Sequence, residues 1–235
     1  MNATPPGACG GCVLALALLA VLAWTTGSGE PAIPAPAPVI TVHAATHDTQ
    51  PGKGGRLTPQ ELLAQLRIAP EQPDNDYRRE DWGDWGHDEF GCSVHELQLR
   101  TDADQYLLGP DLCHVIKGRW ISRYDGKAIT DRTQLQVDHI VPLREAHRSG
   151  ANHWDAAKRS EFFNSPENLL TVSAEANQAK SDKDPGTWLP PDESSWCFYA
   201  DFYIWTKHAY DLTVDQREHD ALASVLTHCA GEDQQ

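Results

Sequence analysis

Four cysteines in the body of the chain constrain its fold more than any other feature. Cys9 and Cys12 stand at the N-terminus, and Cys92, Cys113, Cys197 and Cys229 follow much later. An even set in an exported chain implies two disulfides, in one of three pairings. The sequence-local pairing, Cys92 with Cys113 and Cys197 with Cys229, is the preferred one. Each bridge would close a loop of roughly 20–30 residues and add about 3 kcal/mol by restricting the unfolded chain. Zinc is the competing use, but no C-x-x-C pair remains after Cys12, so a structural zinc site is disfavoured. Four buried free thiols would suit a reducing compartment instead.

The case for export comes from Val13–Trp24, VLALALLAVLAW. It is too short for the roughly 20 residues that span a bilayer and matches the apolar core of a signal peptide. No Lys or Arg precedes it, so the usual basic start is missing. The expected organisation is a signal peptide or N-terminal membrane leader over 1–27 and a flexible linker containing PAIPAPAP over 28–56. A helical, acidic extension over 57–90 and a main domain over 91–230 follow. The expected location is extracellular, with no membrane partner once the leader is removed; an uncleaved leader would anchor the chain.

Charge excludes one class of function and leaves another open. The chain carries 19 Lys and Arg against 34 Asp and Glu, net −15, so it cannot hold nucleic acid by bulk positive charge. The acidity is peripheral, because residues 91–190 carry 12 basic and 14 acidic groups. A local phosphate-binding surface there stays open. Eight Trp supply enough apolar mass for a core, which excludes an acidic disordered chain.

Local signals place several helices. Thr58 and Glu61 form a capping-box pair ahead of Leu62, Leu63 and Leu66. Trp196–Tyr210 reads as a buried helix, and Thr213 with Gln216 as the cap of a second, with Ala221, Leu222, Val225 and Leu226 inward. An antiparallel hairpin of these two would bring Cys197 to Cys229. Trp82 and Trp85, in an acidic run, are expected to pack on the main body.

Residues 134–190 carry the chemistry. QLQVDHI alternates and ends in Asp138-His139, which predicts a strand. A helical stretch through Lys158, Phe162 and Phe163 follows, then Ser165-Pro166-Glu167-Asn168 and a second strand, Leu169–Val172. Ser173 caps a helix through Asn177 and Lys180, which Asp184-Pro185 stops. Such a helix, packed on the strand pair, can set Asn177 opposite Asp138. A carboxylate oxygen with an amide oxygen suits Mg²⁺, and a neutral His139 beside them can deprotonate a water for attack on phosphorus.

Asp138-His139, then Asn168, then Asn177-x-x-Lys180 resembles the HNH (ββα-metal) endonuclease motif. The chain looks like a bacterial secreted branch of that family, related to the C-terminal nuclease domain of Gmr-type restriction enzymes. The resemblance runs from about residue 90 to 229, and the ordered combination is what makes it specific. It implies an α+β fold: a mostly helical domain built around the ββα-metal hairpin and helix and stapled by two disulfides. It further implies Asp138 and Asn177 as metal ligands for Mg²⁺, Mn²⁺ or another divalent cation, and His139 as general base. Asn168 would orient His139 and its loop, and Lys180 would meet substrate phosphate. One departure is visible, since the family often has an aromatic at the position of His147.

The expected function is therefore a secreted metal-dependent endonuclease cutting DNA, or RNA, with low sequence specificity. The alternative is a non-catalytic extracellular binding module on an HNH-like scaffold, favoured by the net charge and by Trp82 and Trp85.

Overall fold

A computed structural model describes residues 57–232; the leader and linker expected over 1–56 lie outside the described residues. The first element, α1 (Pro59–Leu63), is short and well capped. Thr58 Oγ1 accepts from the Glu61 N–H at 3.2 Å, and the Glu61 carboxylate accepts from the Thr58 N–H at 2.8 Å. This satisfies both otherwise orphaned donors. Leu62, Leu63 and Leu66 are buried against the main core.

Helix α2 (Val94–Thr101) then leads into β1 (Ala103–Leu108), β2 (Val115–Ile121) and β3 (Ala128–Ile129). These form an antiparallel three-stranded sheet in the order β1–β2–β3. The sheet was not foreseen from the sequence. It covers a small core of its own, built from Leu99, Ala103, Tyr106, Val115, Trp120, Ile129 and Leu135. Gly118 is required there, because a Cβ on it would collide with the Trp120 indole. The Cys92–Cys113 bridge ties the residues before α2 to the β1–β2 connection.

Strand β4 (Leu135–His139) pairs antiparallel with β5 (Leu169–Ser173), with Asp138 opposite Leu170 and His139 opposite Leu169. Between them run two helices where one stretch was expected, α3 (Leu143–Arg148) and α4 (Ala156–Phe163). Gly150, at φ +119°, takes the left-handed turn that separates them. Helix α5 (Ala174–Lys180) leaves β5 directly, with the Ser173 hydroxyl oxygen accepting from the Ala176 N–H. It ends at Ser181, which takes φ +55°, three residues before the expected stop at Asp184.

Helices α6 (Trp196–Ala209) and α7 (Gln216–Glu232) form the expected pair, bridged by Cys197–Cys229 with Cα atoms 5.7 Å apart. The cap of α7 differs from the sequence reading. Asp215 and Glu218 make the reciprocal bonds, Glu218 N–H to Asp215 Oδ1 at 2.7 Å and Asp215 N–H to Glu218 Oε2 at 3.1 Å. Thr213 is drawn off by Ser149, whose carbonyl accepts from both its N–H and its hydroxyl. The main core joins α1, α4, α6 and α7 to the hairpin through Trp82, Phe162, Phe163, Tyr199, Tyr203, Ile204 and Leu222. Among the described residues, no helix is long and apolar enough to cross a membrane.

Candidate active site on the β4–β5 hairpin

The hairpin is short, so its geometry depends on what holds it. Asp102, just past α2, accepts from the Thr171 N–H at 2.6 Å. Ser122 Oγ accepts from the Ser173 N–H at 3.0 Å, and Asp125 accepts from the Ser173 hydroxyl at 2.7 Å. The three-stranded sheet and its loops therefore brace β5 along its length.

Strand alternation sends Gln136 and Asp138 to one face of β4 and His139 to the other. Helix α5 covers the first face, presenting Asn177 and Lys180 three residues apart. Asn177 Nδ2 donates to Gln136 Oε1 at 2.9 Å, and Lys180 Nζ pairs with Asp138 Oδ2 at 2.8 Å. Asp138 Oδ2 also accepts from the Tyr124 hydroxyl at 2.7 Å. Lys180 Nζ in addition donates to the His139 carbonyl at 2.8 Å. Asp138, Asn177 and Lys180 thus meet at one interface, with Gln136 and Tyr124 as members that sequence reasoning missed. Gln136 was legible, two residues before Asp138 and hence on its face. Tyr124 was not, because a loop residue 14 positions away carries no local signal.

Lys180 departs from the phosphate-facing role that the resemblance implies. Its side chain is fully buried. The reason is electrostatic: an unpaired carboxylate at buried Asp138 would cost several kcal/mol, roughly what a nearby cation can offset. Burial pushes Asp138 up and Lys180 down, while their mutual attraction opposes both shifts.

Of these residues, Asp138 and Asn177 are the ones that could hold a divalent ion. Asn177 spends its N–H on Gln136, which leaves its amide oxygen as an acceptor, and carboxylate with amide oxygen is a hard pair. Lys180 is the competing cation at the same carboxylate. The cluster of Glu71, Asp184 and Asp215, whose oxygens lie within 4.8 Å of one another, is separate. Arg148 at 3.4 Å from Glu71 and Arg217 at 3.5 Å from Asp184 partly neutralise it.

His139 keeps different company. Its Nε2 lies 2.8 Å from the Phe163 carbonyl. A carbonyl only accepts, so Nε2 carries the proton and Nδ1 holds the free lone pair. Burial pushes the imidazole down to about 3, against the opposing pull of the Phe163 carbonyl. The ring is therefore neutral at any ordinary pH. The Lys180 ammonium joins the His139 carbonyl to Asp138, but the His139 imidazole lies on the opposite face of β4 from Asp138, not on the Asp138–Asn177 side where the sequence placed it.

Asn168 is fully buried and clamps the loop after β4. Its Oδ1 accepts from the Val141 N–H at 2.8 Å, its Nδ2 donates to the Val141 carbonyl at 3.2 Å, and its own carbonyl accepts from the Ile140 N–H. It holds the loop backbone, whereas the His139 imidazole is oriented by Phe163. Asn168→Ala strands two buried backbone groups and should lower the unfolding free energy by about 2–3 kcal/mol. Urea unfolding measures this, and a loss under about 0.5 kcal/mol would mean the loop is held by other contacts.

The family model for the C-terminal domain of GmrSD restriction endonucleases matches residues 93–225. An uncharacterized secreted protein of Arthroderma benhamiae is 36% identical over 200 residues, covering 84% of this chain and 93% of the relative. That relative is fungal, so the comparisons do not carry the bacterial origin expected above. No solved structure matches the chain.

Proposed function

The chain belongs to the family of the C-terminal domain of GmrSD restriction endonucleases, and on that premise we propose that it is an HNH (ββα-metal) endonuclease. It would use a divalent metal to hydrolyse phosphodiester bonds of DNA, or of RNA, with low sequence specificity. The family supports a nuclease-like domain. The protein is secreted, as its relative is described to be, and its two closed disulfides suit that location.

One observation carries the reading: His139 Nε2 is committed to the Phe163 carbonyl, which leaves the Nδ1 lone pair as the ring's acceptor. A fixed tautomer with one free lone pair lets the ring accept a proton from water, and a bound metal that acidifies that water would offset the low basicity of the buried imidazole. In this proposal His139 Nδ1 takes the proton of the attacking water. Asp138 and Asn177 would hold Mg²⁺, Mn²⁺ or another divalent ion, which would neutralise charge on the scissile phosphate. Tyr124 keeps the Asp138 carboxylate oriented, and Asn168 keeps the following loop in place. With a net charge of −15, affinity for nucleic acid should be modest and fall with salt.

A second reading has its own support. Lys180 already neutralises Asp138, which is how a purely structural ion pair looks, and this favours a non-catalytic binding module. Plasmid nicking by the secreted chain with Mg²⁺ or Mn²⁺ separates the two. The nuclease reading expects nicking that a chelator stops and that added metal restores. A folded protein that neither cuts nor gains thermal stability from millimolar divalent ion would leave the binding module standing.

A further inference from the structure

The segment from Arg79 to Gly86 lies outside the family-matched residues 93–225, yet it packs directly against His139. The Trp85 indole stacks on the imidazole, 7° from parallel with ring centroids 5.9 Å apart. Trp85 also meets the Phe163 ring at 4.6 Å, and Phe163 itself lies 4.8 Å from the imidazole. From the same segment, the Arg79 guanidinium sits 4.3 Å above the Phe163 ring.

The residue after Phe163 fastens this segment in place. Asn164 Oδ1 accepts from the Gly86 N–H at 2.7 Å, and Asn164 Nδ2 donates to the Asp84 carbonyl at 3.3 Å. Trp82, almost wholly buried, anchors the start of the segment on Phe162 and Trp154. Phe163-Asn164 therefore does two jobs at once. The Phe163 carbonyl fixes Nε2 of His139, and the Asn164 side chain holds the backbone on both sides of Trp85.

We propose that Trp85 is a positioning residue of the His139 centre, supplied by a segment outside the matched family domain. Trp85 restrains rotation of the imidazole about its side-chain bonds, so that the Nε2 bond to Phe163 persists and Nδ1 keeps one direction. Its importance for catalysis rests on the nuclease reading; its effect on the ring does not. A parallel aromatic contact alone is worth up to about a tenfold factor, and small misplacements of a catalytic group cost as much or more.

The test compares wild type, Trp85→Phe and Trp85→Leu by ¹H–¹⁵N NMR of the histidine rings and by kinetics of nicking. In the wild type, the His139 ring protons should carry ring-current shifts from both the indole and Phe163, and its Nε2–H should exchange slowly with water. Trp85→Leu should change the ring-proton shifts to those left by Phe163 alone, speed exchange, and lower kcat about tenfold at unchanged KM. Trp85→Phe should keep most of both. If the leucine variant does not fold, Trp85→Met, which fills more of the indole's volume without an aromatic face, takes its place and should likewise speed Nε2–H exchange. His139 signals and kcat that match wild type in Trp85→Leu, or in Trp85→Met where that stands in, would overturn the positioning role. Absent cleavage with the ring changes still present would sink the nuclease reading and leave the positioning role intact.

Discussion

Replacing His139 by Gln or Ala is expected to slow nicking by about 10²–10⁴-fold, the usual contribution of a positioned general base. The loss should fall on kcat, because the imidazole acts only when the water is deprotonated. Gln serves as the space-filling variant, since Ala also removes the surface on which Trp85 stacks. Equal cleavage by wild type and both variants would reject His139 as the base. The pH dependence provides an independent check. With the folded imidazole pushed down to about 3, it stays neutral far below the 6.5 of an ordinary histidine. The acidic limb of the rate profile belonging to this group should lie below about pH 4, not near 6.5. Stability carries the matching sign: as pH falls from 6.5 toward 3, the unfolded chain takes up a proton that the folded chain does not, so folding weakens. In His139→Gln this part of the acid dependence should vanish.

How much of this site was legible in the sequence depended on whether a partner was local. The Asp138-His139 strand end, the Ser173 cap and the Asn177–Lys180 face of α5 follow from alternation and helical spacing, and the structure has all three elements. The Thr58–Glu61 box and the two disulfides are equally local signals. What escaped is held by long-range partners. Tyr124 reaches Asp138 from a loop between sheet strands, and the group that fixes His139 is a backbone carbonyl, which no residue type advertises. Trp85 was expected only to pack on the body, and it does so on the imidazole. The β1–β3 sheet escaped because its strands alternate imperfectly and its small core comes from scattered residues. The cap of α7 was misplaced by two residues because Thr213 and Asp215 are both good capping types. Competition from the Ser149 carbonyl decided between them. Lys180 shows the opposite limit: its position was legible, but a lysine three residues past Asn177 gave no sign that its charge is buried on Asp138.

Replacing Lys207 by Met should weaken the fold itself by about 3–5 kcal/mol of unfolding free energy. Lys207 on α6 is fully buried and reaches Glu145 Oε1 on α3 at 2.7 Å, Ser149 Oγ at 2.7 Å, the Thr213 carbonyl at 2.9 Å and Glu218 Oε1 on α7 at 2.9 Å. One ammonium therefore joins three helices and the turn between two of them. Burial pulls its pKa down, but Glu145 and Glu218 raise it further. Glu145 would be pushed up by burial, and Lys207 with Arg148 holds it below its ordinary value. Glu218 is pushed up by burial to about 7. The sign for the wild type follows: between pH 4.5 and 7 the folded chain keeps a proton on Glu218 that the unfolded chain releases, so this group makes stability fall as pH rises. Methionine fills the volume but leaves two buried carboxylates without their shared cation. The variant should then be weakened far more at pH 8 than at pH 5, where Glu218 is protonated while Arg148 still pairs with Glu145. Urea unfolding at the two pH values measures the difference. A loss below about 1 kcal/mol, or the same loss at both, would show that Lys207 is not the cation that holds these helices together.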